Sequence, residues 1–252
     1  MILSVENLGK VYKGFEAVKS VSFSLDAGEM LALIGPNGAG KSTCFNMING
    51  QTPPTRGTVT IFGQRTDGMS PRAIGRLGVG RTFQIAATFA SMTVAENVQM
   101  ALIAHHQRQW RMARWAALSC VSEAEALLAL VGMADQAQRG CGELAYGDVK
   151  RLELAIALAN APRLLLMDEP AAGMAPRERG ALMSLTARIA RERGIGVLFT
   201  EHDMDVVFEY ADRILVLNRG ALIAEGAPSA VRANADVQAV YLGSGSLYGA
   251  AH

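Results

Sequence analysis

The stretch Met30-Leu31-Ala32-Leu33-Ile34-Gly35-Pro36-Asn37-Gly38-Ala39-Gly40-Lys41-Ser42-Thr43-Cys44-Phe45-Asn46-Met47-Ile48 decides how the rest of the chain is read. Its first five residues are all apolar, which suits a strand buried on both faces, the usual state of central parallel strands in α/β proteins. Residues 35–42 fit GxxxxGK followed by Ser or Thr, and the apolar positions Cys44, Phe45, Met47 and Ile48 predict a helix. Asn49-Gly50 and Pro53-Pro54 end that helix. Strand, glycine loop and helix in this order predict a phosphate-binding loop. The glycines let backbone N–H groups turn toward phosphate oxygens, the helix start adds the positive end of its dipole, Lys41 supplies charge and Ser42 offers a magnesium ligand.

Downstream, LLLMDE at residues 164–169 predicts a second buried strand that ends in two carboxylates. Asp168 is placed to hold magnesium and Glu169 to polarise an attacking water, because the two roles need two groups. GVLFT and RILVLN predict further strands, separated by the helical stretches PRERGALMSLTARIARERG and DMDVVFEYAD. Upstream, SVENLGKVY and AVKSVSFSL read as β-structure, turning at Gly14-Phe15. From Thr88 to Gly140 the composition shifts to Ala, Leu, Met, Arg and Glu, which predicts a helical insertion. RILVLNRGALIAEG predicts a closing strand pair that turns at Arg219-Gly220, followed by one short helix ending near Tyr241 and a Gly/Ser-rich tail. The expected fold is α/β: a mostly parallel sheet with helices, an N-terminal antiparallel β subdomain and an inserted helical subdomain. A single domain is expected over residues 1–243, with the helical subdomain at about 85–160 and a flexible tail at 244–252.

With 252 residues, 50% hydrophobic and 19% charged, the chain is neither disordered nor collagen-like. A net charge of +1 gives no broad attraction to nucleic acid or acidic lipid, so no nucleic-acid partner is expected. Cys44, Cys120 and Cys141 form neither an even set nor a metal-ligand spacing, which predicts reduced thiols in a cytosolic compartment. The start lacks a basic segment followed by an apolar one, and no window approaches the length of a membrane helix, so export and membrane spanning are not expected. His105, His106 and His252 offer no zinc spacing. Most of the twelve methionines read as core, but Met92 and Met100 flank TVAENV and are equally readable as groove residues. Trp110 and Trp115, among Arg108, Arg111 and Arg114, read as an amphipathic or simply solvated helix.

Taken together, these motifs resemble the ATP-binding subunits of ABC transporters over nearly the whole chain. The resemblance implies that Tyr12 stacks on adenine, the alternative being a packed strand tyrosine, and that Asn37, Gly38, Ala39, Gly40, Lys41, Ser42 and Thr43 cradle the ATP phosphates. Gln84, closing GRTFQ, matches the glutamine that senses magnesium and water. It joins Ser42 and Asp168 as a metal candidate, and Glu169 and His202 as a catalytic one. His202 matches the switch histidine that contacts the γ-phosphate. Ala171-Ala172-Gly173-Met174 fills the dimer-contact loop. Leu144-Ala145-Tyr146-Gly147-Asp148 stands where LSGGQ is usual, so Ala145, Tyr146 and Gly147 would face ATP held by a second subunit. Ala145 lacks the usual serine hydroxyl, and Asp148 replaces glutamine with a charge.

GVGRTFQ, TVAENV, EPAAGM, TEHDMDVV and AVYLG are most similar to the importer branch for branched-chain amino acids, whose relatives also move urea or amides. The implied activity is ATP hydrolysis coupled to transmembrane import, with ATP and Mg2+ as cofactors. The implied partners are transmembrane permease subunits, a second ATP-binding subunit (identical or different) and, indirectly, a periplasmic solute-binding protein. The implied location is cytoplasmic, peripheral on the inner face of the membrane. The competing expectation is a regulatory ATP-binding half whose partner does most of the hydrolysis.

Overall fold

A computed structural model describes residues 1–82, 88–105 and 120–242. Its strands are β1 (Leu3–Tyr12), β2 (Phe15–Leu25), β3 (Met30–Ile34), β4 (Arg56–Ile61), β5 (Gln64–Arg65), β6 (Val79–Thr82), β7 (Leu164–Asp168), β8 (Gly196–Thr200), β9 (Arg213–Asn218) and β10 (Ala221–Gly226). The helices are α1 (Lys41–Ile48), α2 (Pro71–Arg76), α3 (Val94–His105), α4 (Val121–Leu130), α5 (Tyr146–Leu158), α6 (Pro176–Arg193), α7 (Met204–Tyr210), α8 (Pro228–Ala233) and α9 (Ala235–Leu242).

Six strands form one sheet in the order β10-β9-β3-β8-β7-β6, parallel except for β10 at its edge. Every residue of β3, β7 and β8 is buried. The reason lies in the strand's period of two. Leu31, Leu33, Leu164, Leu166, Leu198 and Leu215 face one apolar cluster with α1 and the other sheet. Met30, Ala32, Ile34, Leu165, Met167, Val197 and Phe199 face a second cluster with α3 to α6. Strands covered on both faces read as unbroken apolar runs, as the sequence does here.

The other sheet is antiparallel, in the order β2-β1-β4-β5. Its first two strands match the sequence expectation. β4 and β5, at RGTVTI and QR, were not anticipated, and they carry the small sheet past the glycine loop. Only the pairing Val5↔Val59 and its neighbours explains why a half-buried TVTI run belongs beside β1.

Within the stretch from Thr88 to Gly140 the described residues form α3 and α4, and 3-10 turns at Ala134–Gln136 and Cys141–Glu143 lead from α4 to α5. A reciprocal capping box starts α3: Thr93 N–H donates to Glu96 Oε2 at 2.7 Å, and Glu96 N–H donates to Thr93 Oγ1 at 3.2 Å. Buried Asn97 bonds back to Phe89 N–H and O, tying the approach to the helix. Instead of one closing helix there are two, α8 and α9, divided by Asn234, whose side chain accepts from Asp236 and Val237 N–H. Trp110, Trp115, Arg108, Arg111, Arg114 and the tail lie outside the described residues. Met100 is exposed on α3 and Met92 is half-buried.

Candidate nucleotide-binding and hydrolysis site

In parallel α/β sheets the strand C-termini form the ligand edge, and here β3, β7 and β8 deliver Gly35, Asp168-Glu169 and Glu201-His202 to that edge. The loop from Gly35 to Gly40 can take its shape only with glycine at two points. Gly35 has φ +150, and a Cβ there would lie 2.2 Å from Leu217 O. Gly40 has φ +104, and a Cβ there would lie 2.7 Å from Ala17 O. Both are left-handed backbone against a carbonyl, closed to other residues.

Gly40 caps α1 with no side-chain hydrogen bond, and no acidic residue stands in the first turn. The first N–H groups of the helix are therefore left for an anion. Lys41 is buried, and its Nζ donates to Gly35 O at 2.7 Å and Pro36 O at 3.3 Å. Burial pushes its ammonium down from the ordinary value, while Glu169 and Asp168 oppose that shift. The cation thus sits within the field of both carboxylates, held against the loop it would serve.

Asp168 is buried at the end of β7 and accepts from Thr200 Oγ1 at 2.8 Å. The same Thr200 oxygen accepts from Glu169 N–H at 3.0 Å, and Thr200 O accepts that N–H at 3.2 Å. Glu169 is held at φ +51, a left-handed conformation rare outside glycine. Its Oε1 lies 2.7 Å from His202 Nε2. The pair borders a cavity of about 340 Å³ that also meets Tyr12, Asn37, Gly38, Ala39, Gly40, Lys41, Ser42 and Thr43.

Thus Tyr12, the whole 37–43 run, Glu169 and His202 converge on one cavity, with Asp168 adjoining through Thr200. Gln84 lies outside the described residues. Ala145, Tyr146 and Gly147 do not line this cavity. They open α5, where Ala145 O accepts from Asp148 and Val149 N–H, and where Tyr146 faces the loop after Glu169. Asp148 Oδ2 is engaged sideways by Gln136 Nε2 at 3.1 Å.

The sequence reading missed several residues at the site. Phe15, opposite Tyr12 in the β1–β2 register, lines the cavity, and Ala17 joins it. An aromatic on each side of the Lys13-Gly14 turn was the available signal. Arg81, at the end of β6, is half-buried; burial pushes its guanidinium down, and the Asp168 charge counteracts this. Its signal was a charge inside the apolar strand VGRT. Tyr241 in α9 is buried, which pushes its hydroxyl up, while a hydrogen bond with the Gly35 backbone opposes the shift. Nothing local could place residue 241 beside residue 35.

The donor set fits a magnesium nucleotide. The uncapped helix start and Lys41 suit phosphates, while the Ser42 hydroxyl and Asp168 carboxylate are hard oxygen ligands of the kind magnesium takes. Among the described residues no cluster of three His, Cys, Asp or Glu side chains could hold a metal, so any ion would need phosphate oxygens to complete its shell. All three cysteines are buried and none is in a disulfide.

The sequence pattern of the family described as "ABC transporter" matches residues 18–172, and that of "Branched-chain amino acid ATP-binding cassette transporter" matches residues 221–246. The chain is 39% identical to the high-affinity branched-chain amino acid transport ATP-binding protein LivG of Escherichia coli, over 96% of this chain and 98% of that one. It is 38% identical to BraF of Pseudomonas aeruginosa, described in the same words, over the same shares. Among solved structures, it is similar to an ATP-binding cassette of an ABC transporter in its ADP conformation, with a TM-score of 0.84 and 30% identity over 96% of this chain and 98% of that one. A nucleotide-free cassette gives a TM-score of 0.83 at 30% identity, over 95% and 98%. The chain belongs to the ABC transporter family, as one of its ATP-binding ATPase cassettes.

Proposed function

We propose that this chain is the ATP-hydrolysing subunit of an importer for branched-chain amino acids or a related small polar solute. It would act as one cassette over residues 1–243, with a helical subdomain at about 85–160. The reading rests above all on the 2.7 Å contact between His202 and Glu169 at the rim of the cavity that Lys41 and Ser42 share. A regulatory half that left hydrolysis to its partner would have no use for that pair.

In this reading Tyr12 and Phe15 hold the adenine, the N–H groups of residues 37–43 hold the phosphates, and Lys41 adds charge. Ser42, Asp168 and Gln84 hold Mg2+, which supplies charge neutralisation across the phosphate oxygens when bound. Glu169 accepts hydrogen bonding from water and takes its proton. The Nε2–H of His202 fixes the Glu169 carboxylate, and the Glu169 backbone is pinned from below by Thr200. Ala145, Tyr146 and Gly147 present the start of α5 to ATP held by a second subunit, identical or different.

Among the described residues no helix is long and apolar enough to cross a membrane. Membership of the ABC transporter family supports placing the chain on the cytoplasmic face, bound to permease subunits that receive solute from a periplasmic binding protein. The decisive experiment is Glu169→Gln in purified protein. Turnover should fall by about a hundredfold or more, the usual contribution of a general base, while ATP binding persists and an ATP-bound dimer accumulates. Hydrolysis at the wild-type rate would overturn the assignment.

A further inference from the structure

The loop that follows Glu169 is held from two sides by side chains remote in sequence. On one side, Ala171 N–H donates to Oε1 of buried Glu201, the neighbour of His202, at 2.8 Å. On the other, the Tyr146 hydroxyl donates to Ala172 O at 3.0 Å. Between these holds the loop closes on itself, with Ala172 N–H donating to Glu169 O at 3.2 Å and Met174 N–H to Ala171 O at 3.2 Å. A turn so bonded passes a displacement at Ala172 to Glu169 instead of absorbing it.

The Tyr146 ring is itself set in place. Lys150, one turn along α5, carries its Nζ 5.5 Å from the ring centroid and 3.0 Å from Glu153, and this ion pair is buried. Gly173 has φ +77, and a Cβ there would come within 3.5 Å of the hydroxyl end of the ring, so this part of the loop lies beside it. At the next residue, a Cβ on Gly147 would lie 3.2 Å from the Glu178 carboxylate, in the first turn of α6. The start of α5 therefore meets the loop between β7 and α6 at Ala172 and Gly173 and the first turn of α6 at Glu178, although Tyr146 remains half exposed on its other side.

We propose that Tyr146 is a positioning residue: through Ala172 it links the α5 start, which faces the partner's nucleotide, to Glu169 and His202, which face the chain's own. This rests on the reading of Glu169 and α5 given above. When nucleotide on the partner draws the α5 start, the hydroxyl carries Ala172 with it, and a displacement there reaches the Glu169 carboxylate that already lies against His202. The coupling passes through contiguous bonded groups that sit in one chain.

Tyr146→Phe removes only the hydroxyl and keeps the ring against Gly173 and Lys150. In the full-length chain, kcat should fall about fivefold to tenfold, the net value of one hydrogen bond, with KM for ATP unchanged within about twofold. Amide hydrogen exchange at residues 171–174 should quicken. ATP-driven dimerisation, compared in Glu169→Gln and Tyr146→Phe/Glu169→Gln proteins, should be equal. An unchanged kcat would overturn the link. So would a loss of dimerisation as large as the loss of kcat, because Tyr146 would then act only on the partner's nucleotide. If Glu169→Gln alone retained wild-type turnover, the underlying site reading would fail, an outcome in which Tyr146 has no part.

Discussion

At Glu169 a single backbone angle, φ +51, places a carboxylate against His202, and Thr200 bonds that backbone twice to hold it there. The cost of a left-handed non-glycine residue, about 1 to 3 kcal/mol, is offset by those bonds. The nucleotide loop, the carboxylate pair and His202 were all legible in the sequence because each depends on residue type at short spacing. Phe15 was not, because its relevance comes from pairing with Tyr12 across a hairpin. Lys10 Nζ lies 5.1 Å from the centroid of the Tyr12 ring, so the ring carries a cation beside it. Tyr12→Ala should weaken ATP binding by about 1 to 3 kcal/mol, the range for a stacked base, while Tyr12→Phe stays near wild type. Equilibrium binding of ATP to folded variants checks this; an unchanged Kd in Tyr12→Ala would mean the ring only packs.

At the scale of elements, the junction of β8 with α7 sets Glu201 within the field of Glu169. Glu201, the residue after β8, is a buried carboxylate, and burial first, then the Glu169 charge, raises it above the ordinary value of 4.5. The backbone N–H groups of Ala171 and His202, and the Arg179 charge, oppose that rise. The folded chain thus holds this proton more tightly than the unfolded chain does. Its stability contribution is present in full below 4.5 and is lost as pH rises through the raised folded value. Glu201→Gln cannot ionise, so its unfolding free energy should gain on wild type as pH rises from 4.5, and denaturant unfolding across pH measures this. A difference that stays flat with pH would remove Glu201 as the source. The capping box of α3 shows the opposite case, an element boundary written entirely in local residues, Thr93 and Glu96.

For the whole molecule, the question is what the α5 start presents to a second subunit. Ala145 begins α5 with no side-chain cap, whereas Asp148 is already occupied by Gln136. On the proposed reading, that bond within its own subunit tempers any repulsion of phosphate by Asp148. Changing Ala145 alone therefore isolates the missing hydroxyl. Ala145→Ser in the Glu169→Gln protein should tighten ATP-driven dimerisation about fivefold, the worth of roughly 1 kcal/mol for one added hydrogen bond. Sedimentation with and without ATP checks this, and no change would show that the backbone N–H groups of α5 suffice.

What the sequence determined by itself was everything carried by short spacing: the glycine loop, the carboxylates at the end of LLLMDE, the buried strands and the alternation that makes an α/β core. Their physics is local, since a strand's period, a glycine's φ and a helix's uncapped N–H groups need no distant partner. Tertiary structure alone decided that β4 and β5 return to β1, that Arg81 faces Asp168 and that Tyr241 reaches Gly35. It alone decided, too, that the Tyr146 hydroxyl grips Ala172 from 26 residues away. β4 returns to β1 by antiparallel pairing around the intervening glycine loop and α1, while the other contacts arise where parallel crossovers gather distant parts of the chain around one sheet, and no window of sequence contains either.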